Sequence, residues 1–286
     1  MTSSGERRTL TVDGRERSYL VVSPPTIKAG APVLIVMHGS QMDGVQMRRM
    51  LGTSFERIAG QQGAVLVYPT GVEGHFNGGQ RAASYSASTL NIDDVGFTRA
   101  IVDTLAATQP IDRRRVYVFG YSNGGVMAMR LAAEAPDLVA GIIVSNANLP
   151  TADNRRWTLS RHPDAFKTKV VLIEGTRDPI VPYEGGEVTI FGFFSRGSVL
   201  SSPASARWFG QRAGLAAEPV ADTTRRLAGL DVRQQDWGTP VRLRLVTLQG
   251  AGHTVPQADY RFPRFLGATV TDDAVLDAAW RLVNTP

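Results

Sequence analysis

The chain has no cysteine among its 286 residues. That excludes disulfides, thiolate metal sites and a cysteine nucleophile together. No apolar run reaches the roughly 18 residues of a membrane-spanning helix, so no membrane partner is expected. Neither His-Glu-x-x-His nor any other clustered ligand spacing occurs, so no metal and no other cofactor is expected. Repeats, low-complexity tracts and clear linkers are also missing, and 43% of the residues are apolar. One domain spanning residues 1–286 with a substantial core is therefore expected. The first twenty residues carry charge and no apolar stretch ahead of a cleavage site, so no signal peptide is read and a cytoplasmic location is expected, or a secreted one if a leader was removed. The net charge is +5. The densest basic runs, Arg113 to Arg115, Arg155–Arg156 and Arg225–Arg226, are not interleaved with aromatics. They read as solvated surface, with no nucleic-acid partner. Nothing in the sequence speaks to oligomeric state.

What is present is a series of short, continuous apolar runs ended by turn residues: VLIVMHG (33–39), AVLVYP (64–69), VYVFG, GIIVSN, VVLIEG and LRLVTLQG. Continuous rather than alternating apolar strands are buried on both faces, as in a parallel sheet covered by helices. Helical spacing fills the gaps. DVGFTRAIVDTLAAT places Val95, Ile101, Val102 and Leu105 on one side. SSPASARWFGQRAG opens with serine and has Pro203 in its first turn. TDDAVLDAAWRLV opens with an aspartate cap signal. Thr9 to Pro24 reads as an N-terminal antiparallel hairpin turning at Asp13–Gly14. Residues 216–240 read as an additional strand or hairpin before the last sheet strand. Strands alternating with helices predict an α/β fold with a mainly parallel sheet.

Within that pattern, RVYVFGYSNGGVMAMRLA sets Ser122 between an apolar strand and a strong helix former. Gly-x-Ser-x-Gly alone is a weak signal. The context sharpens it: strand and helix nearly collide at the turn, and Gly120 and Gly124 remove the side chains that would clash. The serine then sits at the apex of a nucleophile elbow, beside free N–H groups of a helix N-terminus. The competing reading is a helix-capping serine in a glycine-rich turn.

A serine hydroxyl needs a base, and in such an elbow the acid and the histidine follow it in the chain. His162 and His253 qualify by order. His253, on the glycine-flanked loop after LVTLQ, lies at the carboxyl edge of the sheet and is favoured over His162 in its polar stretch. Asp178, just past VVLIEG, is the favoured acid. Glu174 reads as a buried supporting carboxylate, and Asp222, Asp231 and Asp236 lack a strand-end position. An oxyanion would be held by the N–H of Asn123 and by one from the loop after the early strand. Ser40 is assigned there, with Gly39 or Gln41 as alternatives, and His38 reads as a brace for that loop. For the substrate-binding wall the candidates are Tyr121, Phe76, Ile190, Phe191, Phe193 and Phe194, with Tyr85 a weaker one. For the four from 190 to 194 the competing reading, core under a loop, is the favoured one.

Taken together, the segment from Asn91 to Pro150, EGTRDPIVPYEGG and GAGHTVP resemble the polyhydroxybutyrate depolymerase / feruloyl-esterase-like family of α/β-hydrolases. MHGS resembles that family's oxyanion loop. The likeness covers roughly Val33 to Pro256, and Asp93 to Phe97 and Ser122 to Gly125 are its specific pieces. It implies serine-dependent hydrolysis of carboxylic esters through an acyl-enzyme, on soluble acyl, feruloyl-type or hydroxyalkanoate esters. The chain departs from many relatives in having Ser40, Ala82–Ala83 and Ala132–Ala133 in regions where they carry cysteines, which fits a reducing compartment or simple drift. Typical secreted polymer degraders also have a signal peptide and often a polymer-binding domain; neither is read here, so a small-molecule or oligomeric ester is expected rather than a solid polymer. Two other readings compete. One is a serine peptidase or amidase on the same fold. The other is a non-catalytic hydrolase-fold binding protein.

Overall fold

The alternation of charge and apolar residues in ERRTLTV and RERSYLVV builds a hairpin closed at Asp13 and Gly14, both with positive φ. Its strands are β1 (Glu6–Val12) and β2 (Arg15–Val22). The computed structural model describes residues 5–158, 166–190 and 192–285. From β2 the chain continues through β3 (Ala31–Met37), α1 (Gly44–Gln62), β4 (Val65–Pro69), α2 (Ser86–Thr89) and α3 (Asp94–Thr108). Next come β5 (Ile111–Tyr121), α4 (Asn123–Glu134), β6 (Gly141–Ser145) and β7 (Lys169–Gly175). A two-strand ribbon of β8 (Gly186–Glu187) and β9 (Ser198–Val199) precedes α5 (Ser202–Arg212). The chain closes with β10 (Ala221–Leu227), β11 (Leu230–Trp237), β12 (Leu243–Leu248) and α6 (Ala274–Asn284).

Ten strands form one sheet in the order β1-β2-β4-β3-β5-β6-β7-β12-β11-β10. The six from β4 to β12 run parallel. The hairpins at the two edges are antiparallel. The hairpin expected between 216 and 240 is β10–β11. Helix α1 has no counterpart in the sequence reading. Among the described residues no helix is long and apolar enough to cross a membrane.

Strand parity explains the continuous apolar runs. Val33, Ile35 and Met37 of β3 face α3, α4 and α5, where Phe97, Met127 and Phe209 are buried. Leu34 and Val36 face α1 and α6, where Phe55 and Trp280 are buried. Each such side chain contributes about 1.5–3 kcal/mol on burial. The helix ends largely follow the sequence signals. Ser201 caps α5 by accepting from the Ala204 N–H (3.2 Å), with Pro203 in the first turn. The cap signal before α6 resolves differently. Asp273 holds the N-cap position without capping, because its carboxylate accepts from Ser54 Oγ (2.7 Å) and Arg57 Nη2 (2.9 Å) instead.

The Asp-Asp-Val-Gly-Phe piece proves to be a clamp between α3 and the N-terminal hairpin. Asp93 caps α3 through the Gly96 N–H (2.7 Å). Asp94 pairs with Arg17 of β2 (2.6 Å), the side chains being 1% and 3% exposed. Its other oxygen accepts from the Asn77 N–H (2.6 Å), and the Arg17 guanidinium lies 4.1 Å over the Phe97 ring. Removing one partner of a buried pair strands the other charge in low dielectric. Arg17→Met is therefore expected to cost about 3–5 kcal/mol of unfolding free energy. Urea denaturation measures this, and a loss below 1 kcal/mol would mean that the pair carries no structural weight.

Candidate active site

Strand β5 delivers the chain to Ser122 and α4 carries it away, which forces a backbone of φ 53° and ψ −115° on the serine. An L-residue there is strained by about 1–3 kcal/mol. The turn closes only because of its glycines: a Cβ on Gly120 would collide with the Gly124 carbonyl, and one on Gly124 with the carbonyls of Met37 and His38. The Ser122 N–H is held by the Ser145 carbonyl (2.9 Å), and its own carbonyl accepts from the N–H groups of Gly125 (2.8 Å) and Val126 (3.1 Å). The hydroxyl makes no cap hydrogen bond to α4, which removes the helix-capping reading.

Ser122 Oγ lies 3.0 Å from His253 Nε2, and His253 Nδ1 lies 2.7 Å from Asp178 Oδ2. A carboxylate only accepts, so Nδ1 carries the proton and Nε2 presents its lone pair to the hydroxyl. The side chains of His253 and Asp178 are 4% and 1% exposed. The second oxygen of Asp178 accepts from the N–H groups of Ile180 and Val181, both at 2.8 Å. The His253 loop is braced on both sides. Tyr121 donates its hydroxyl to the His253 carbonyl (2.9 Å). Asn146 donates to the Gly252 carbonyl (3.0 Å) and to Asp178 Oδ2 (3.3 Å).

Glu174 is buried, 2% exposed, and accepts from the Ala147 N–H (3.3 Å). Burial and the neighbouring charge of Asp178 push its carboxyl well above the usual range, favouring the neutral acid. It supports the strand end and does not touch the imidazole. Asp222 and Asp231 lie in the edge hairpin, paired with Arg233 and Arg226, and Asp236 there pairs with Arg244. His162 lies outside the described residues.

His38 is fully buried under the loop after β3. Its Nδ1–H donates to the Gly39 carbonyl (2.7 Å), and its Nε2 accepts from the Gly71 N–H (2.9 Å). A trans peptide points its N–H opposite to its carbonyl, so the Ser40 N–H is turned away from His38 on the loop that lines the cavity over Ser122. The Gln41 N–H is already given to the Gly74 carbonyl (2.9 Å). Asn123 opens α4, where helix N–H groups lack intrahelical partners. Its side chain is anchored elsewhere, to both backbone groups of Phe76 and to the Tyr85 hydroxyl.

The cavity above Ser122 measures about 350 Å³. Val126, Val181, Val188, Ile190 and Leu266 give it apolar walls, and Tyr121 lines it as well. Phe76 does not line it. That ring is fully buried, 4.4 Å from the His38 ring, because Asn123 pins its backbone behind the elbow. Phe193 and Phe194 do not line it either. Each is 72% exposed at the tip beyond the β8–β9 ribbon, and so neither is core under a loop. Phe191 lies outside the described residues. The sequence reading missed Asn146 and Arg196; a lone asparagine after β6 and one arginine among thirty-one basic residues carry no local signal.

Comparison with known proteins agrees with this architecture. The profile of the phospholipase/carboxylesterase family matches residues 88–201, which include the elbow. NocK of Nocardia uniformis subsp. tsuyamanensis, which bears the name of an esterase, is 31% identical over 290 residues, covering 95% of this chain and 80% of NocK. The poly(3-hydroxybutyrate) depolymerase of Ralstonia pickettii is 30% identical over 139 residues, 46% of this chain and 28% of that protein. An acetyl xylan esterase from Aspergillus awamori superposes with a TM-score of 0.63 at 15% identity, over 88% of this chain and 95% of that one, a likeness of fold. The fold is that of the α/β-hydrolases. The chain belongs to their carboxylesterase family and is a carboxylic ester hydrolase.

Burial lowers the pKa of His38 from 6.5 to about 4, with the Gly39 carbonyl opposing. The unfolded chain binds this proton at higher pH than the native one does. The contribution is therefore complete above pH 6.5 and is lost as pH falls toward 4. By pH 4.5 the loss is about 2–3 kcal/mol. In His38→Gln the stability gap to the wild type should narrow by that amount between pH 7.5 and 4.5, as read from urea melts. A gap independent of pH would show that the native imidazole protonates freely.

Proposed function

We propose that Ser122 attacks the ester carbonyl carbon while His253 Nε2 takes the hydroxyl proton. The carbonyl oxygen, now an oxyanion, is held by the N–H groups of Ser40 and Asn123. Donors of this kind stabilise the transition state by about 3–4 kcal/mol each. His253 then gives its proton to the leaving alkoxide, leaving an acyl-enzyme on Ser122. Water, deprotonated by the same nitrogen, releases the acid and restores the serine. Asp178 holds the imidazole tautomer and stabilises the imidazolium without taking the proton. One domain carries all of these groups.

The observation supporting this reading is the unbroken line from Ser122 Oγ through the imidazole to Asp178, at 3.0 and 2.7 Å, with no other acceptor for the hydroxyl among the described residues. Small acyl, feruloyl-type or short hydroxyalkanoate esters fit a largely apolar cavity of about 350 Å³.

Ser122→Ala should lower kcat on 4-nitrophenyl butyrate by about 10⁵–10⁶-fold, and Asp178→Asn by about 10⁴-fold, with thermal melting of the Ser122 variant preserved. A fluorophosphonate probe should label Ser122 in the wild type. Wild-type rates in Ser122→Ala, or no labelling, would end the assignment. Faster cleavage of a matched 4-nitroanilide than of the ester would move the reading to an amidase.

A further inference from the structure

Arg196 is the one cationic side chain on the cavity wall among the described residues, and no aspartate or glutamate lines the cavity with it. Two arginines of the interior, away from the cavity, are matched by carboxylates. Arg17 pairs with Asp94 and Arg244 with Asp236. Among the described residues Arg196 has no carboxylate partner, its Nε is buried without a hydrogen bond, and its guanidinium gives no hydrogen bond.

The side chain is nevertheless held in place. Its backbone N–H donates to the Val188 carbonyl (2.8 Å), and its backbone carbonyl accepts from Asn154 Nδ2 (2.9 Å) and Gln80 Nε2 (3.3 Å). The guanidinium carbon lies 4.8 Å over the Tyr85 ring. Tyr85 stacks on His75 at 4.4 Å and 8°, and its hydroxyl accepts from Asn123 Nδ2 (3.0 Å). The arginine is thus tied through one rigid ring to the residue that follows the nucleophile. A guanidinium presents a planar fork of donors that matches a carboxylate. Half-buried in an apolar cavity without a counter-ion, it is costly until an anion meets it.

We infer that Arg196 is a carboxylate-binding residue of this cavity, and that the preferred substrates are esters bearing a second, free carboxylate away from the scissile bond. This rests on Ser122 as the nucleophile and narrows the substrate class for the same site. The carboxylate sits in either the acyl or the alcohol half, and the test separates the two.

The test compares kcat/KM within matched pairs. For the acyl half, the mono-4-nitrophenyl esters of adipic and suberic acids are set against their methyl-capped counterparts. For the alcohol half, 4-acetoxybenzoic acid is set against its methyl ester. The wild type should favour the free acid by about 10- to 100-fold in one arm, the range of a desolvated charge-assisted hydrogen-bonded pair. In Arg196→Gln that ratio should fall to near one, with Arg196→Lys between. An arginine that only braces Tyr85 would lower both members of a pair and leave the ratio alone. Wild-type ratios at or below one in both arms, or an unchanged ratio in Arg196→Gln, would overturn the inference while leaving ester hydrolysis intact. Failure to cleave any of these esters would overturn the hydrolase reading as well.

Discussion

Everything at this site depends on the close approach of β5 and α4 around Ser122. The turn between them is shorter than a relaxed chain allows, so the serine is held at positive φ and the glycines on either side admit neighbouring backbone where any side chain would stand. That strain has a use: it lifts the hydroxyl out of helix capping and into the space where an imidazole can reach it. The cost of about 1–3 kcal/mol is spread over a strand buried on both faces, which has no low-energy way to relax.

Around the elbow, the carboxyl edge of the sheet is organised by buried polar groups. Asn146 links the histidine loop to Asp178. Tyr121 fixes the same loop through the His253 carbonyl. His38, kept neutral by burial, turns the Gly39–Ser40 peptide. Asn123 spends its side chain on Phe76 and Tyr85, leaving its backbone N–H at the helix start. In the proposed mechanism none of these side chains takes part in bond breaking. Together they hold three loops, from β3, β7 and β12, in one geometry, which is the preorganisation that transition-state stabilisation requires. The apolar cavity meets this edge with one cation on its wall among the described residues, Arg196.

Much of this architecture is legible in the sequence. The strands of the parallel sheet announce themselves because burial on both faces demands continuous apolar runs. The elbow is legible because its geometry permits only glycine at particular places. Ser122, Asp178 and His253 could be paired because each follows a strand end, and parallel strands bring their carboxyl ends to one edge. The family likeness drawn from those same stretches agrees with the matching family profile and relatives.

The sequence by itself determined the periodicities, the turn chemistry and the order of the chemical groups, since these depend on residues within a few positions of one another. Tertiary structure decided which face each aromatic meets. Phe76 went to the core because Asn123, 47 residues away, holds its backbone, and Phe193 and Phe194 went to the surface beyond a two-strand ribbon. Asp273 lost its capping role to Ser54 and Arg57, more than 200 residues distant. Whether an arginine is matched or left as an unpaired cation in a cavity is likewise a property of everything folded around it. No local pattern encodes it, because its energy is set by long-range neighbours and by the water they exclude.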